Sequence, residues 1–261
     1  MTRLPPLDSH AHIAVSIPVS AVDRLSGVIF VATRSLSEAE EALLREDSTL
    51  VWGVGCHPAL PEAHADFTGP RFAELLGRTA FAGELGLDGG TRVLSETQVS
   101  TFRTALGVLR GIPRIVSLHS YKATGELLDE LRRQPIHRPI LHWWLGNERQ
   151  TQLAIDLGCY FSINSMNIRR GEVMDQIPLD RVLIETDHPF GDRAGAPPHA
   201  PGIVEHVELQ LASRYAVSQD EIRRTVWRNL ADLVRELGCG ELLPKRVRST
   251  LASIPLSRLS T

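Results

Sequence analysis

His10 and His12 stand one residue apart behind a short apolar lead-in (residues 4–8), the first side chains in this sequence equipped for chemistry. On a β-strand, residues i and i+2 share a face, so both imidazoles converge on one point. Neutral imidazoles aimed together are what a borderline or hard divalent cation accepts as ligands. The spacing alone is a weak signal, because most His-x-His pairs are ordinary surface or core histidines. Glu84, His119, His142 and Asp187 strengthen it, each sitting at the carboxyl end of a short apolar run that reads as a strand. One histidine after a strand is more often a hydrogen-bonded loop residue. Acid and imidazole side chains gathered at several strand ends are the pattern of a metal site.

Strands and helices must alternate to position them. Residues 6–12 read as the first strand, 19–25 as a brief helix and 28–32 as the second strand. Ser37 and Glu40 spell a capping box that opens a helix to about Arg45. Residues 50–55 form the third strand, ahead of Cys56-His57-Pro58. A helix near 71–78 leads to a fourth strand, 79–83, that delivers Glu84. Ser95 and Gln98 open a long helix to Arg110, and 114–118 is the fifth strand, before His119. Residues 124–133 are helical, and 139–141 form the sixth strand, before His142. Residues 148–157 make a helix stopped by Gly158. The seventh strand is 159–163 and the eighth 181–186, before Asp187. Helices over 202–215 and, from a Ser218/Glu221 capping box, to Glu236 finish the pattern.

Eight strands, most followed by helical pattern, predict an α/β chain folded as a (β/α)8 TIM barrel. Strands covered on both faces read as continuous Val, Ile and Leu, as at 28–31 and 182–184. Right-handed crossovers bring all strand carboxyl ends to one rim, where the metal site is therefore expected. The barrel domain spans residues 1–239, and 240–261 is a C-terminal tail. The tail sets Lys245, Arg246, Arg248 and Arg258 against one acid, Glu241, and lacks a long helical period. It reads as a solvated or barrel-docked end, or as a partner's docking point.

With 261 residues, 43% of them hydrophobic, the chain has the length to bury about three quarters of its unfolded surface in one core. A net charge of −3 excludes a broad basic face, so a nucleic acid would be gripped at a pocket. Three cysteines without a C-x-x-C pair fit a reducing cytoplasm and argue against a thiolate zinc site. No signal peptide is readable and no apolar run approaches a membrane span, so a soluble cytoplasmic protein without membrane contact is expected. Gly53-Val54-Gly55 is a strand end, lacking the remainder of a dinucleotide loop. The segment 83–90 is too irregular to cradle a phosphate. Its glycines let the backbone bring Glu84 close to a metal, with Asp88 as a supporting partner. A nucleophilic Cys56 beside His57 is disfavoured, because adjacent residues point apart on a strand end.

The segments LDSHAHI (7–13), GVGCHPAL (53–60), GELGLDGG (83–90), VSLHSYKAT (116–124), PILHWWLG (139–146) and LIETDHPF (183–190) resemble the successive motifs of the TatD family of metal-dependent deoxyribonucleases. These are barrel members of the amidohydrolase superfamily. The resemblance runs in order from residue 7 to about 237. GLDGG, LHSYKAT, LHWWLG and LGCYFSIN (157–164) are most similar to the QatD-type subunit of Qat anti-phage systems. The resemblance implies two divalent metal ions (Mg, Mn or Zn). One is held by His10, His12, Glu84 and Asp187, and Glu84 bridges to a second held by His119 and His142. It makes Asp187 and Glu84 catalytic, Asp187 orienting and deprotonating a water. Glu185 either supports these ligands or is a buried carboxylate satisfied by a neighbouring imidazole.

The substrate side departs from the family pattern. Tyr121 and Lys122 replace the usual arginine after His-Ser, and His188 replaces a serine. The loop 191–202 carries Arg193, Pro197, Pro198, His199 and Pro201. Arg34, Lys122 and Arg193 follow strands and are candidate phosphate contacts. Tyr121, Trp143, Trp144 and Phe161 are candidate stacking platforms, unless Trp144 and Phe161 are simply core. His57 and His188 join the substrate-binding candidates, whereas His64, His137 and His206 read as surface residues. The leading function is a nuclease for single-stranded or end-bearing DNA, with other Qat subunits as partners. The alternatives are a small-molecule amide, lactone or phosphoester hydrolase, and a non-catalytic assembly subunit.

Overall fold

The computed structural model describes residues 4–194 and 198–254. In chain order its first half runs β1 (Leu7–Ala11), α1 (Val19–Val22), β2 (Val28–Val31), α2 (Leu36–Ala42), β3 (Leu50–Trp52), α3 (Pro61–Asp66), α4 (Gly69–Leu76) and β4 (Phe81–Gly86). There follow α5 (Ser95–Gly111), β5 (Ile115–His119), α6 (Thr124–Arg133), β6 (Ile140–Leu141), α7 (Glu148–Asp156), β7 (Tyr160–Ile163), α8 (Gly171–Gln176) and β8 (Val182–Ile184). Three helices end the chain: α9 (Glu205–Arg214), α10 (Gln219–Leu237) and α11 (Lys245–Ala252).

All strand pairs are parallel, in a ladder β1-β2-β3 and a ladder β4-β5-β6-β7-β8. Two seams join the ladders into a barrel. At the first, Val54 N–H donates to Phe81 O (3.1 Å) and Gly83 N–H to Val54 O (3.1 Å). At the second, Asp187 N–H donates to His10 O (2.8 Å) and His12 N–H to His188 O (2.9 Å). Asp8 staples this second seam. Its carboxylate accepts from Thr186 N (2.9 Å), Thr186 Oγ1 (2.6 Å), Gly202 N (2.9 Å) and His10 N (3.3 Å). Burial pushes the Asp8 carboxyl up to about 7, against the pull of those donors.

The strands are apolar on both faces because each is covered twice. In β2 every residue is buried. Ile29 and Val31 pack with Val22 and Ala42 of the helix layer. Phe30 meets Phe81 edge to face at 5.2 Å. β3 lies between β2 and β4, so the contact joins residues of alternate strands, as in the packed layers of a barrel interior. Burying such a ring contributes about 1.5–3 kcal/mol. Helix α10 lays Ile222, Val226, Leu230 and Leu233 on the barrel, and Trp227 Nε1 donates to Pro5 O (2.7 Å). Ser218 Oγ caps its start by accepting from Glu221 N, and Gly238 ends it in the left-handed region (φ +62°).

The barrel expected from the sequence is present, with local corrections. Ser37 and Glu40 do not cap α2. Ser35 does, accepting from Glu38 N at 3.1 Å, while Ser37 N–H binds Asp66 Oδ2 (2.8 Å). Both pairs fit the same spacing, and only the extended backbone at Ser35 decides between them. Ser95 lies inside α5, and Gln98 turns its amide to the preceding loop, accepting from Asp88 N (2.7 Å) and donating to Val93 O (3.0 Å). Glu84 and His119 lie within β4 and β5 rather than after them. Helices α3 and α8 have no counterpart in the expected pattern, their short turns carrying too little period to read. The tail forms α11, which buries Val247. Pro197 and Arg258 fall outside the described residues. No described helix is long and apolar enough to cross a membrane.

Candidate metal centre

His10 and His12 leave the end of β1 on one face, their rings 5.2 Å apart. His12 Nδ1 lies 3.2 Å from Ala32 O. A carbonyl only accepts, which assigns the proton to Nδ1 and turns the Nε2 lone pair inward. His10 Nδ1 is fixed by Ser117 Oγ at 2.6 Å. Nε2 of His10 and of His12 then lie 3.9 and 3.4 Å from Glu84 Oε2, and 3.8 and 3.5 Å from Asp187 Oδ1. Donors bound tetrahedrally at about 2.1 Å stand about 3.4 Å from one another; the His–carboxylate spacings are near that value, and His10, His12 and Asp187 converge closely enough to share one cation with Glu84 Oε2 beside them. His10 Nε2, Glu84 Oε2 and Asp187 Oδ1 are buried with no hydrogen-bond partner. Each such orphan costs about 1–3 kcal/mol, a cost that a shared cation removes.

The other Glu84 oxygen faces a second set. Oε1 lies 2.6 Å from His119 Nδ1 and 2.9 Å from His142 Nε2, and these two nitrogens are 3.3 Å apart. His119 Nε2 lies 2.8 Å from Asp88 Oδ2. Asp88 thus lies outside the donor set and supports it through His119, the β4 loop meeting the segment after β5 where Gly89 N–H donates to Tyr121 O. His57 Nδ1 accepts from Ala59 N at 3.1 Å, so its proton sits on Nε2, 3.5 Å from Glu84 Oε2. Glu185 Oε1 accepts from Trp143 N (2.8 Å) and Asn164 Nδ2 (3.0 Å) and lies 3.8 Å from His142 Nδ1. Its main task is therefore to hold the backbone of Trp143, which sits at φ +40°. Asp187 at φ +44° is held by its bond to His10 O. Non-glycine residues in that region cost about 1–3 kcal/mol and cluster at functional sites.

Charge is tightly coupled here. Burial alone would raise the Glu84 carboxyl, but His57, His142 and His119 hold it well below the usual carboxylate range. Burial opposes a proton on His142, yet Glu84 and Glu185 lift it well above an ordinary histidine. His119 and His12 are also raised, burial being outweighed chiefly by Glu84. Burial, reinforced by His142, drives His10 well below its ordinary value. Burial lowers His57 too. Asp187 is pushed up to about 7 by burial, against the pull of His142.

These groups open into a cavity of about 500 Å³ walled by Tyr121, Trp143, Leu145, Phe190 and Arg193. Five sequence candidates for substrate contact do not line the cavity. His188 turns to Asp192 (Nδ1 to Oδ2, 2.7 Å) and does not line the cavity, because the loop after β8 supplies it a partner four residues on. Lys122 is exposed and does not itself line the cavity, but it stands at the cavity's edge, its Nζ 5.2 Å from the ring of Tyr121, which does. Arg34 is exposed and paired with Glu38. Trp144 and Phe161 are core, their rings 5.7 Å apart. His64 is not a surface residue, since its ring reaches Thr101 Oγ1 (2.9 Å) and Pro58 O (3.0 Å). Burial pushes the Cys56 thiol up to about 12, which removes it as a nucleophile. Phe190, Ser117, Asn164 and Asp192 are absent from the sequence-based set. Only Phe190 carried a signal, an aromatic three residues after a candidate ligand.

Residues 7–235 match the TatD related DNase family, and the chain belongs to it. It is 23% identical over 209 residues to the uncharacterized metal-dependent hydrolase YabD of Bacillus subtilis, covering 74% of this chain and 80% of that one. It is 27% identical over 211 residues to the 3′-5′ ssDNA/RNA exonuclease TatD of Erwinia tasmaniensis, covering 72% and 80%. The crystal structure of YJJV, a TatD homolog from Escherichia coli K12, superposes with a TM-score of 0.75 at 23% identity, covering 87% of this chain and 97% of that one. That likeness shows the shared (β/α)8 fold. The protein is a metal-dependent hydrolase with His, Glu and Asp clusters suited to metal.

Proposed function

We propose that this hydrolase cleaves phosphodiester bonds at the free ends of single-stranded DNA with two divalent cations of the Mg, Mn or Zn class. The observation that carries the reading is the division of Glu84, whose two oxygens face two separate donor sets. His10, His12, Glu84 and Asp187 would hold one cation, and Glu84, His119 and His142 the other. Such a pair supplies positive charge for a phosphate oxygen and lowers the pKa of a bound water. Asp187 lines the cavity as part of the first donor set and is placed to take a proton from the attacking water. His57 presents its Nε2–H to the same space, a donor for charge that develops on a phosphate oxygen. A chain of net charge −3 is poorly equipped to track a duplex along its surface, and a 500 Å³ cavity admits a frayed strand. The naming of the Erwinia tasmaniensis relative as a single-strand exonuclease supports the same reading. By the motif resemblance, the protein acts in the cytoplasm within a Qat-type anti-phage complex.

The test compares 5′- and 3′-labelled single strands, blunt duplex and closed circles under equal salt and metal, with elemental analysis of the same protein. About two cations per chain and preference for single-stranded ends are expected. Equal cutting of closed circles overturns the end preference. Stoichiometry near zero across Mg, Mn, Zn and Fe overturns the metal mechanism. Turnover of a small ester, lactone or amide without cutting of any nucleic acid puts the small-molecule hydrolase in its place. Co-purification with the other Qat subunits tests the complex.

A further inference from the structure

We infer that two aromatic–cation pairs at the cavity mouth, Tyr121 with Lys122 and Phe190 with Arg193, form a two-sided grip on the unpaired nucleotide beside the scissile phosphate. The inference rests on the single-strand reading above and names how that substrate is held. Tyr121 and Phe190 are 43% and 48% exposed, yet both line the cavity, so each offers an uncovered ring face where substrate must pass. Lys122 Nζ stands 5.2 Å from the Tyr121 ring and Arg193 Cζ stands 5.6 Å from the Phe190 ring. Among the described residues neither cation has a carboxylate partner. Among those residues Arg193 donates to Pro189 O (3.1 Å). The charges therefore remain available to phosphate while the rings remain available to bases.

Both pairs are anchored to the metal centre. The Phe190 ring centroid lies 6.0 Å from that of His12, and Tyr121 follows His119 by two residues. The Tyr121 side is built on a glycine seat. A Cβ on Gly90 would lie 2.7 Å from Tyr121 Cε1, and one on Gly89 would lie 2.5 Å from Lys122 O. Gly89 N–H donates to Tyr121 O (2.7 Å), and Gly90 N–H donates to Asp88 Oδ1 (2.7 Å). The Gly89-Gly90 pair is thus required by close approach of the Tyr121-Lys122 segment. Asp88 links that seat to His119, whose Nε2 it also binds.

The test uses the metal-loaded full chain and a labelled oligothymidylate, compared with the same strand carrying abasic sugars at its terminal positions. Wild type is expected to show a KM about 5- to 100-fold higher on the abasic strand, the size of one or two stacking contacts. Tyr121→Ala and Phe190→Ala should raise KM on the base-bearing strand toward that level with kcat little changed. They should add little on the abasic strand. Lys122→Met and Arg193→Met should raise KM on both strands and flatten the salt dependence by about one charge each. Gly90→Val should behave like Tyr121→Ala, with thermal melting confirming a folded chain. Fluorescence anisotropy of the same strands on chelated protein should give the same order without cleavage. Equal KM and equal binding for the two strands, or unchanged values in Tyr121→Ala and Phe190→Ala, overturn the grip while leaving a cutting enzyme a nuclease. Failure of the wild type to cut or bind any strand overturns the grip together with the nuclease reading.

Discussion

His119 is held between two carboxylates, Asp88 Oδ2 at 2.8 Å from Nε2 and Glu84 Oε1 at 2.6 Å from Nδ1. Both ring nitrogens must donate to satisfy both acids, which agrees with the raised affinity of this ring for its second proton despite burial. Asp88 keeps the proton on Nε2, so the nitrogen that gives up its proton to a cation is Nδ1. A residue outside the donor set thereby chooses which atom of His119 serves as a ligand.

Asp88→Asn should distinguish the two donor sets by their metal affinity. Asparagine can still accept from Gly90 through its oxygen, but it offers an N–H to His119 Nε2 and so drives the ring proton onto Nδ1. The affinity of the site containing His119 should fall about 10- to 100-fold, with the site of His10 and His12 retained. Calorimetric titration of chelated protein checks this; two unchanged affinities would contradict it.

Asp187→Asn and Glu84→Gln should each lower turnover by at least about a hundredfold. Both changes remove charge and basicity at nearly constant volume, so circular dichroism and the melting profile should still report a folded barrel. Near-wild-type rates in either variant would place the chemistry elsewhere.

Metal uptake should release protons and weaken in acid. With no cation bound, Asp187 titrates at about 7, and His142 holds its proton well above the ordinary histidine range. These groups bind metal only when deprotonated. Falling pH therefore favours the metal-free form, and apparent affinity should drop as pH falls through about 7. Calorimetry at pH 6 and 8 (in buffers of different ionisation enthalpy) counts the protons; equal affinity at both pH values with no proton release would falsify this assignment.

Asp8→Asn should loosen the barrel at its closing seam. All four partners of the carboxylate are donors. Asparagine provides one oxygen and turns an N–H against the remaining donors. The cost should be about 1–3 kcal/mol, which lowers the melting temperature by about 2–10 °C. Scanning calorimetry reads it directly, and a melting temperature equal to wild type would show that the seam does not depend on this carboxylate.

Periodicity made the strand order and the six convergent side chains legible in the sequence. That His10 and His12 share a face follows from the two-residue repeat of a strand. That β2 and β8 are covered on both sides follows from unbroken Val, Ile, Leu and Phe. Both are properties of a few neighbouring residues. Ser35 against Ser37, or Tyr121 against His188 as a cavity wall, are choices between groups that local spacing leaves equivalent.

Tertiary structure decided those choices, because partners distant in sequence set them. Asp8 meets Thr186 across 178 positions, and Glu84 meets His142 across 58. His188 left the cavity when the loop after β8 gave it Asp192, and Phe190 took its place beside His12. Residue type and spacing determined which side chains reach the rim. Closure of the barrel determined which atoms face one another there, and so divided the two oxygens of Glu84 between two donor sets.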